Sequence, residues 1–158
     1  TGLLDVAQTP DQLAAVLGHE VGHVLAKHSN ARVSNSQLAN TGLGLASVFL
    51  GGDTASQQQA MALLGMGVDM AVLKPFGRAD ESEADEIGLM LMARAGFDPT
   101  HSVDLWRNMA ASGGPSPPEF LSTHPSHATR ISQLNGWMSE AMPLYRQAQA
   151  AGRRPNCR

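Results

Sequence analysis

The feature that most constrains this chain of 158 residues is the pentapeptide His-Glu-Val-Gly-His at positions 19–23. Two histidines four residues apart lie on one face of a helix, with Cβ atoms about 5–6 Å apart, so one metal ion can take a nitrogen from each. Glu20 lies beside that face, where its carboxylate can contact a water bound to the metal. The spacing therefore predicts a metal-binding helix with an acid next to the metal.

The residues around the pentapeptide predict an amphipathic helix over about residues 10–30. Thr9, Pro10 and Gln12 form the pattern of a helix start, with an N-cap, a proline in the first turn and a capping-box side chain. Apolar residues then recur at helical spacing: Leu13, Val16, Leu17, Val21, Val24 and Leu25. The alternative, two core histidines that share this spacing by chance, is disfavoured. Buried imidazoles need hydrogen-bond partners, and the carboxylate of Glu20 beside them would add a further desolvation cost. The pattern is typical of zinc proteases, with Glu20 as general base.

A second segment, Glu-Ser-Glu-Ala-Asp at 81–85, supplies candidates for a third ligand. On a helix Glu81 and Asp85 are about 40° apart around the axis, whereas Glu83 is about 200° from Glu81 and points away. A ligand and a supporting carboxylate on one face therefore fit Glu81 and Asp85, and Asp85 would accept the outer N–H of a ligating histidine. The alternative is an ordinary acidic helix N-terminus, in which these charges and Asp80 only complement the helix dipole.

Three segments in this order resemble one peptidase family: HEVGH, ESEAD leading into GLMLMARAGFDP, and STHPSHATRI. They are similar to the gluzincins that include the type I CAAX prenyl endopeptidase, the bacterial heat-shock membrane protease and their soluble periplasmic relatives. The resemblance runs from about Leu13 to Leu134. It implies a mainly α, zincin-like catalytic domain, zinc ligands at His19, His23 and Glu81, and the general base at Glu20.

The third segment adds His124 and Arg130. The resemblance implies that His124 approaches the zinc, either as a cap at rest or as a stabiliser of the reacting carbonyl oxygen, and we favour a mobile cap. Arg130, with its permanent charge, is a candidate for binding a substrate carbonyl or carboxylate. Two alternatives stay open: His124 as a helix-start residue before Pro125, and Arg130 as a bridge between buried acids. The other histidines are predicted to be surface or cap residues: His28, His101 and His127.

Composition limits the classes of function. A hydrophobic content of 42% with 4% aromatic residues predicts one mostly helical domain over residues 1–158, with an aliphatic core. The net charge of −3, with only 11 lysines and arginines, argues against binding nucleic acid or an anionic membrane as the main activity. Cys157 is the single cysteine, so no internal disulfide forms.

Helical patterns continue along the chain. Residues 41–73 are apolar, but glycines, glutamines and Asp69 interrupt them, so neither half gives the roughly 18–20 apolar residues that span a membrane. A Gly- and Pro-rich loop is expected at 113–118. The further predicted helices cover about residues 33–50, 54–73, 79–95, 99–111, 126–140 and 143–151.

The chain opens a few residues before the first motif, where the family carries a small β-sheet whose edge strand aligns the substrate. We therefore expect a helical bundle truncated at its N-terminus, with at most a remnant of that sheet at Gly2–Val6. The predicted function is a zinc endopeptidase with one Zn²⁺ per chain, acting on peptides or on unfolded or misassembled proteins in the periplasm or cell envelope. Membrane association through parts outside this chain and the oligomeric state are left open. The alternatives are a zinc-binding chaperone or scaffold with residual protease activity and a hydrolase of non-peptide amides or esters.

Overall fold

The computed structural model describes residues 2–49, 77–112, 124 and 128–155. These residues contain no strand, so the prediction of a mainly α fold is confirmed. The described part before Lys27 and after Phe76 is one compact unit, while α3 belongs to a second unit. The single domain expected over residues 1–158 stays a prediction. The helices in chain order are α1 (Gly2–Val6), α2 (Pro10–Leu25), α3 (His28–Phe49), α4 (Arg78–Ala95), α5 (Thr100–Ala111) and α6 (Ala128–Ala150).

Helix α2 begins as the sequence predicts. Thr9 is its N-cap and accepts a hydrogen bond from the Gln12 backbone N–H at 3.2 Å, with Pro10 in the first turn. The helix ends at Leu25, earlier than predicted, because Lys27 adopts a left-handed backbone conformation with φ 59°. The chain therefore turns and begins α3 at His28, five residues before the predicted start.

Helices α2 and α4 pack closely through residues without bulky side chains. A Cβ atom on Gly22 would lie 2.6 Å from the carbonyl oxygen of Ala84, and one on Gly88 would lie 2.7 Å from the backbone of Gly18. The two backbones approach to this distance only because no side chain separates them. This close crossing brings the pentapeptide of α2 against the first turns of α4.

The core of the larger unit is mainly aliphatic, as its composition predicts. Side chains from α1, α2, α4, α5 and α6 meet in one cluster, in which Trp106 of α5 is a buried aromatic residue. Helix α4 ends with Gly96 at φ 93°, a left-handed stop in which its N–H donates to the Ala93 carbonyl. The other large buried members are Val16, Leu89, Met92, Leu105, Met109 and Leu134.

Three expectations about secondary structure need correction or fall outside the described residues. Gly2–Val6 is a short helix rather than a strand remnant, and it packs on α5. Helix α6 continues through Pro143, where the sequence predicted a break, because Ala141 and Ala148 on either side are both buried and Pro143 is exposed. The predicted helix at 54–73, the loop at 113–118 and Cys157 lie outside the described residues. In the described ranges, no helix combines the length and hydrophobicity needed to cross a membrane.

Candidate metal centre

Four buried side chains from three parts of the chain converge at one point: His19, His23, Glu81 and His124. One ligand atom from each lies within 4.8 Å of the others. The Nε2 atom of His19 is 3.0 Å from Nε2 of His23 and 3.1 Å from Nδ1 of His124. The same Nδ1 atom is 3.0 Å from Oε1 of Glu81. The cluster therefore has the size and donor chemistry of a site for one metal ion.

Local structure explains how three of these side chains are aimed. His19 and His23 are one turn apart on α2, with ring centroids 4.6 Å apart. Glu81 lies in the first turn of α4. The start of this helix is fixed at Gly77, whose N–H donates to the Asp80 carboxylate at 3.2 Å. The close crossing of α2 and α4 then brings Glu81 to the two histidines.

The donor set fits a divalent cation better than it fits protons. The Nε2 atoms of His19 and His23 face each other at 3.0 Å, so at most one proton lies between them, whereas a cation accepts both lone pairs. Two buried carboxylates, Glu81 and Asp85, also face a single buried guanidinium, that of Arg130. Buried charges need compensation, so this cluster favours an added positive charge.

The pKa directions differ between the two histidines. Burial lowers the pKa of His19, but hydrogen bonds to Asp85 and Glu81 outweigh burial and hold that pKa above its usual value. Burial holds the pKa of His23 below its usual value, which favours the neutral form that binds metals. Burial alone raises the pKa of a carboxyl, yet hydrogen bonds from the three histidines hold the pKa of Glu81 well below its ordinary range. Glu81 is therefore an ionised ligand candidate.

Asp85 lies where helix geometry predicted. Its Oδ1 atom is 2.9 Å from Nδ1 of His19, and this contact leaves the Nε2 lone pair of His19 directed into the cluster. Glu83, two residues earlier on α4, is exposed. The structure thus separates the acids of this segment as the rotation angles predicted.

Arg130 bridges the two buried acids. Its Nε and Nη2 atoms donate to the two carboxylate oxygens of Asp85 at 2.6 and 2.5 Å, and Nη1 donates to Oε2 of Glu81 at 2.6 Å. The residue is only 2% exposed. Since each of its nitrogens already binds a carboxylate, this geometry supports the bridging alternative over contact between Arg130 and a substrate.

Glu20 and His124 lie on the more open side of the cluster. The Glu20 side chain is 48% exposed, and its Oε1 atom is 3.3 Å from Nε2 of His124. His124 itself is buried between Glu20 and Glu81. It is the fourth possible donor of the cluster, and its role at a metal stays a prediction.

The environments of two other residues, Trp106 and His28, were not predicted from the sequence. Trp106 stacks on Arg130, with the guanidinium carbon 3.6 Å from the ring centroid, yet the sequence indicated only that it lies on a helix. No pattern in the sequence links Trp106 to the metal motifs, because the contact arises from packing of α5 against α6. His28 is buried rather than at the surface, which corrects the prediction made for it. His101 is half-buried, 3.8 Å from Asp104. His127 lies outside the described residues.

The sequence model of peptidase family M48 matches residues 1–138. The chain belongs to this family. The gluzincin resemblance predicted from three short motifs is thereby confirmed.

Several curated relatives carry metalloprotease names. The mitochondrial metalloendopeptidase OMA1 of Schizosaccharomyces pombe is 39% identical over 142 residues, which cover 89% of this chain and 40% of that protein. The mitochondrial metalloendopeptidase OMA1 of Homo sapiens is 32% identical over 154 residues, covering 91% and 29%. The beta-barrel assembly-enhancing protease of Escherichia coli O157:H7 is 31% identical over 157 residues, covering 94% and 31%. The chain thus spans less than half the length of these relatives, and no solved structure matches it.

Proposed function

We propose that this chain carries the catalytic centre of a zinc-dependent endopeptidase. Its zinc ligands are His19, His23 and Glu81, one ion is bound per chain, and Glu20 is the general base. The observation that carries the proposal is the buried cluster of donor atoms within 4.8 Å, with one half-exposed carboxylate at its edge. A ligand set that only stabilises a fold needs no such carboxylate. Membership of a peptidase family supports the same chemistry.

The roles of the protein groups follow from their positions. Bound zinc would lower the pKa of a coordinated water to about 7 and polarise a substrate carbonyl. Glu20, whose half-exposed carboxylate lies at the edge of the cluster, would accept a proton from the attacking water and deliver it to the leaving amine as the C–N bond breaks. Asp85 keeps His19 in the tautomer that presents Nε2. No covalent link between protein and substrate forms.

For His124 we propose the role of a cap at rest. Its ring contacts the proposed general base, Glu20, and two of the proposed ligands, His19 and Glu81. Nδ1 lies 3.1 Å from Nε2 of His19, and Nε2 lies 3.3 Å from Oε1 of Glu20. An imidazole in that position competes with water for the metal and with substrate for Glu20. Activity then requires His124 to move aside.

The substrate class is peptide or protein, as membership of a peptidase family implies. We further propose unfolded or misassembled proteins of the cell envelope as substrates and the periplasm or cell envelope as the location. The name of the Escherichia coli relative, a beta-barrel assembly-enhancing protease, supports this setting, whereas other relatives are named as mitochondrial. Endopeptidase action is favoured because the sequence contains no recognisable site for a peptide terminus.

Glu20→Gln tests the proposed chemistry directly. The variant keeps the shape of the side chain but loses the base, so we expect unchanged zinc content and a peptidase rate lower by about 10²–10⁴-fold. Zinc is measured by elemental analysis and cleavage with casein as substrate, on the full-length protein. Glu83→Gln, an exposed acid on α4, is the matched control and keeps its rate. A Glu20→Gln protein that cleaves at the wild-type rate would remove the assigned role.

The four-donor cluster also favours one rival, a closed zinc site in a chaperone or scaffold, since structural zinc sites commonly have four protein ligands. His124→Ala separates the two. If His124 caps a catalytic ion, the variant retains zinc and its basal cleavage rate rises. If the site is structural, the variant loses zinc affinity and stability and gains no activity.

A further inference from the structure

Helix α5 contributes no donor to the cluster, yet its Trp106 contacts the group that holds two of the cluster's acids. Trp106 is buried, and its ring centroid lies 3.6 Å from the guanidinium carbon of Arg130. Arg130 in turn donates to Oε2 of Glu81 at 2.6 Å and to both oxygens of Asp85. Asp85 contacts Nδ1 of His19 at 2.9 Å. An unbroken series of contacts therefore joins the indole to a proposed metal ligand.

The shape of the guanidinium explains what the indole adds. All N–H groups of arginine lie in one plane, so the hydrogen bonds to Glu81 and Asp85 fix Arg130 within that plane but oppose displacement along its normal only weakly. A ring stacked on the face blocks that displacement on its side. The negative face of an indole also attracts a buried cation, more strongly when both are desolvated.

Arg130 also determines which oxygen Glu81 presents. Its Nη1 atom binds Oε2. Oε1 is the oxygen nearer the other histidines, 3.0 Å from His124 and 3.4 Å from His23, whereas Oε2 is 3.5 Å from Nε2 of His19. If Arg130 shifts, the Glu81 carboxylate can rotate and Asp85 loses its bidentate partner. Both changes disturb the donor set at once.

We propose that Trp106 is a positioning residue of the metal centre, which holds Arg130 in the plane where Glu81 presents one oxygen and Asp85 orients His19. This inference rests on the proposed zinc site. It differs from a role in the core alone, because a core residue contributes volume, whereas this role depends on an aromatic face against a cation.

The test is the affinity of the folded chain for zinc alone, measured by competition with a chelating dye. We expect Trp106→Leu to weaken binding by about tenfold, the lower end of the effect of removing groups that support ligands. Trp106→Phe keeps an aromatic face and stays within about threefold of the wild type. Trp137→Leu is the matched control, since Trp137 is a partly buried tryptophan packed against the same core. The Trp137→Leu substitution should lower the melting temperature and leave zinc affinity unchanged.

A double-mutant cycle shows whether Trp106 acts through Arg130. In an Arg130→Lys background, which keeps the charge but loses the planar donors, Trp106→Leu should have little further effect on zinc affinity. The proposal would be overturned if the two substitutions weakened zinc binding independently, so that their fold-changes multiplied in the double variant. Equal zinc affinity in Trp106→Leu and the wild type would also overturn it. If Trp106→Leu does not fold, Trp106→Phe carries the same cycle, with a smaller loss of affinity that must vanish in the Arg130→Lys background. A wild-type chain that binds no zinc would instead refute the proposed function.

Discussion

Glu81 and Glu83 are two residues apart on α4 but lie in opposite environments. Glu81 is buried among the histidines and Arg130, whereas Glu83 is exposed. Replacing either glutamate with alanine removes one carboxylate, and so the same charge, from the chain. The pair therefore isolates the effect of position from the effect of charge.

At this residue scale we expect Glu81→Ala to lose most of its zinc, because the three-residue ligand set is reduced to two histidines. Glu83→Ala keeps about one zinc per chain, consistent with that set. The metal content of the purified proteins, measured by elemental analysis, gives the answer. Loss of zinc from the Glu83 variant together with retention in the Glu81 variant would reverse the assignment.

The sequence predicted the placement of these side chains where helix periodicity decides it. The four-residue spacing of His19 and His23, and the rotation between Glu81 and Asp85, needed no knowledge of the fold. Arg130 was compatible with two roles, because a sequence does not state which acids surround a side chain. The contact of Trp106 depends on how α5 packs, so local pattern carried no sign of it.

At the scale of elements, the crossing of α2 and α4 sets the distance between the histidines and Glu81. A Cβ atom on Gly22 would meet the Ala84 carbonyl oxygen at 2.6 Å, so Gly22→Ala must push the helices apart. We expect a loss of about 1–3 kcal/mol in the free energy of unfolding, as for other overpacked cores, together with weaker zinc binding. Chemical denaturation and zinc titration measure the two effects.

Gly136 on α6 provides the control for that prediction. A Cβ atom there meets nothing within 4 Å, so Gly136→Ala should raise the free energy of unfolding by about 0.5–1 kcal/mol, the helix preference of alanine. Zinc affinity should not change. If Gly22→Ala were stabilising in the same way, the close crossing would have no part in holding the site together.

Element boundaries were predicted well where a local cap decides them, as at Thr9 and Gly96. They were missed where tertiary packing or an unusual backbone conformation decides them. Lys27 adopts a positive φ that lysine rarely takes. Helix α6 passes through the exposed Pro143 between two buried alanines, Ala141 and Ala148. Neither outcome follows from the propensity of the residues alone.

For the molecule as a whole, the metal centre is expected to contribute to stability. Without a cation, Glu81 and Asp85 share one guanidinium in a buried site. Zinc that binds the folded state is expected to stabilise it by an amount that grows with the logarithm of the ratio of zinc concentration to Kd. A strong chelator should lower the melting temperature of the wild type, which circular dichroism measures. Glu81→Ala is the reference, since its melting temperature should not respond to chelator. An equal response in both proteins would mean that the chelator acts elsewhere.

The sequence separations within the metal centre have a consequence for folding kinetics. His19 and His23 are 4 residues apart, so they form a weak two-ligand site as soon as α2 is helical, whereas Glu81 lies 58 positions (81 − 23) further along. Bringing Glu81 to them requires closure of a long loop, which is entropically costly and slow compared with helix formation. If the site binds zinc as proposed, we expect tight metal capture late on the folding pathway, after α4 has docked onto α2. A newly made chain would then hold zinc loosely until that docking completes the ligand set.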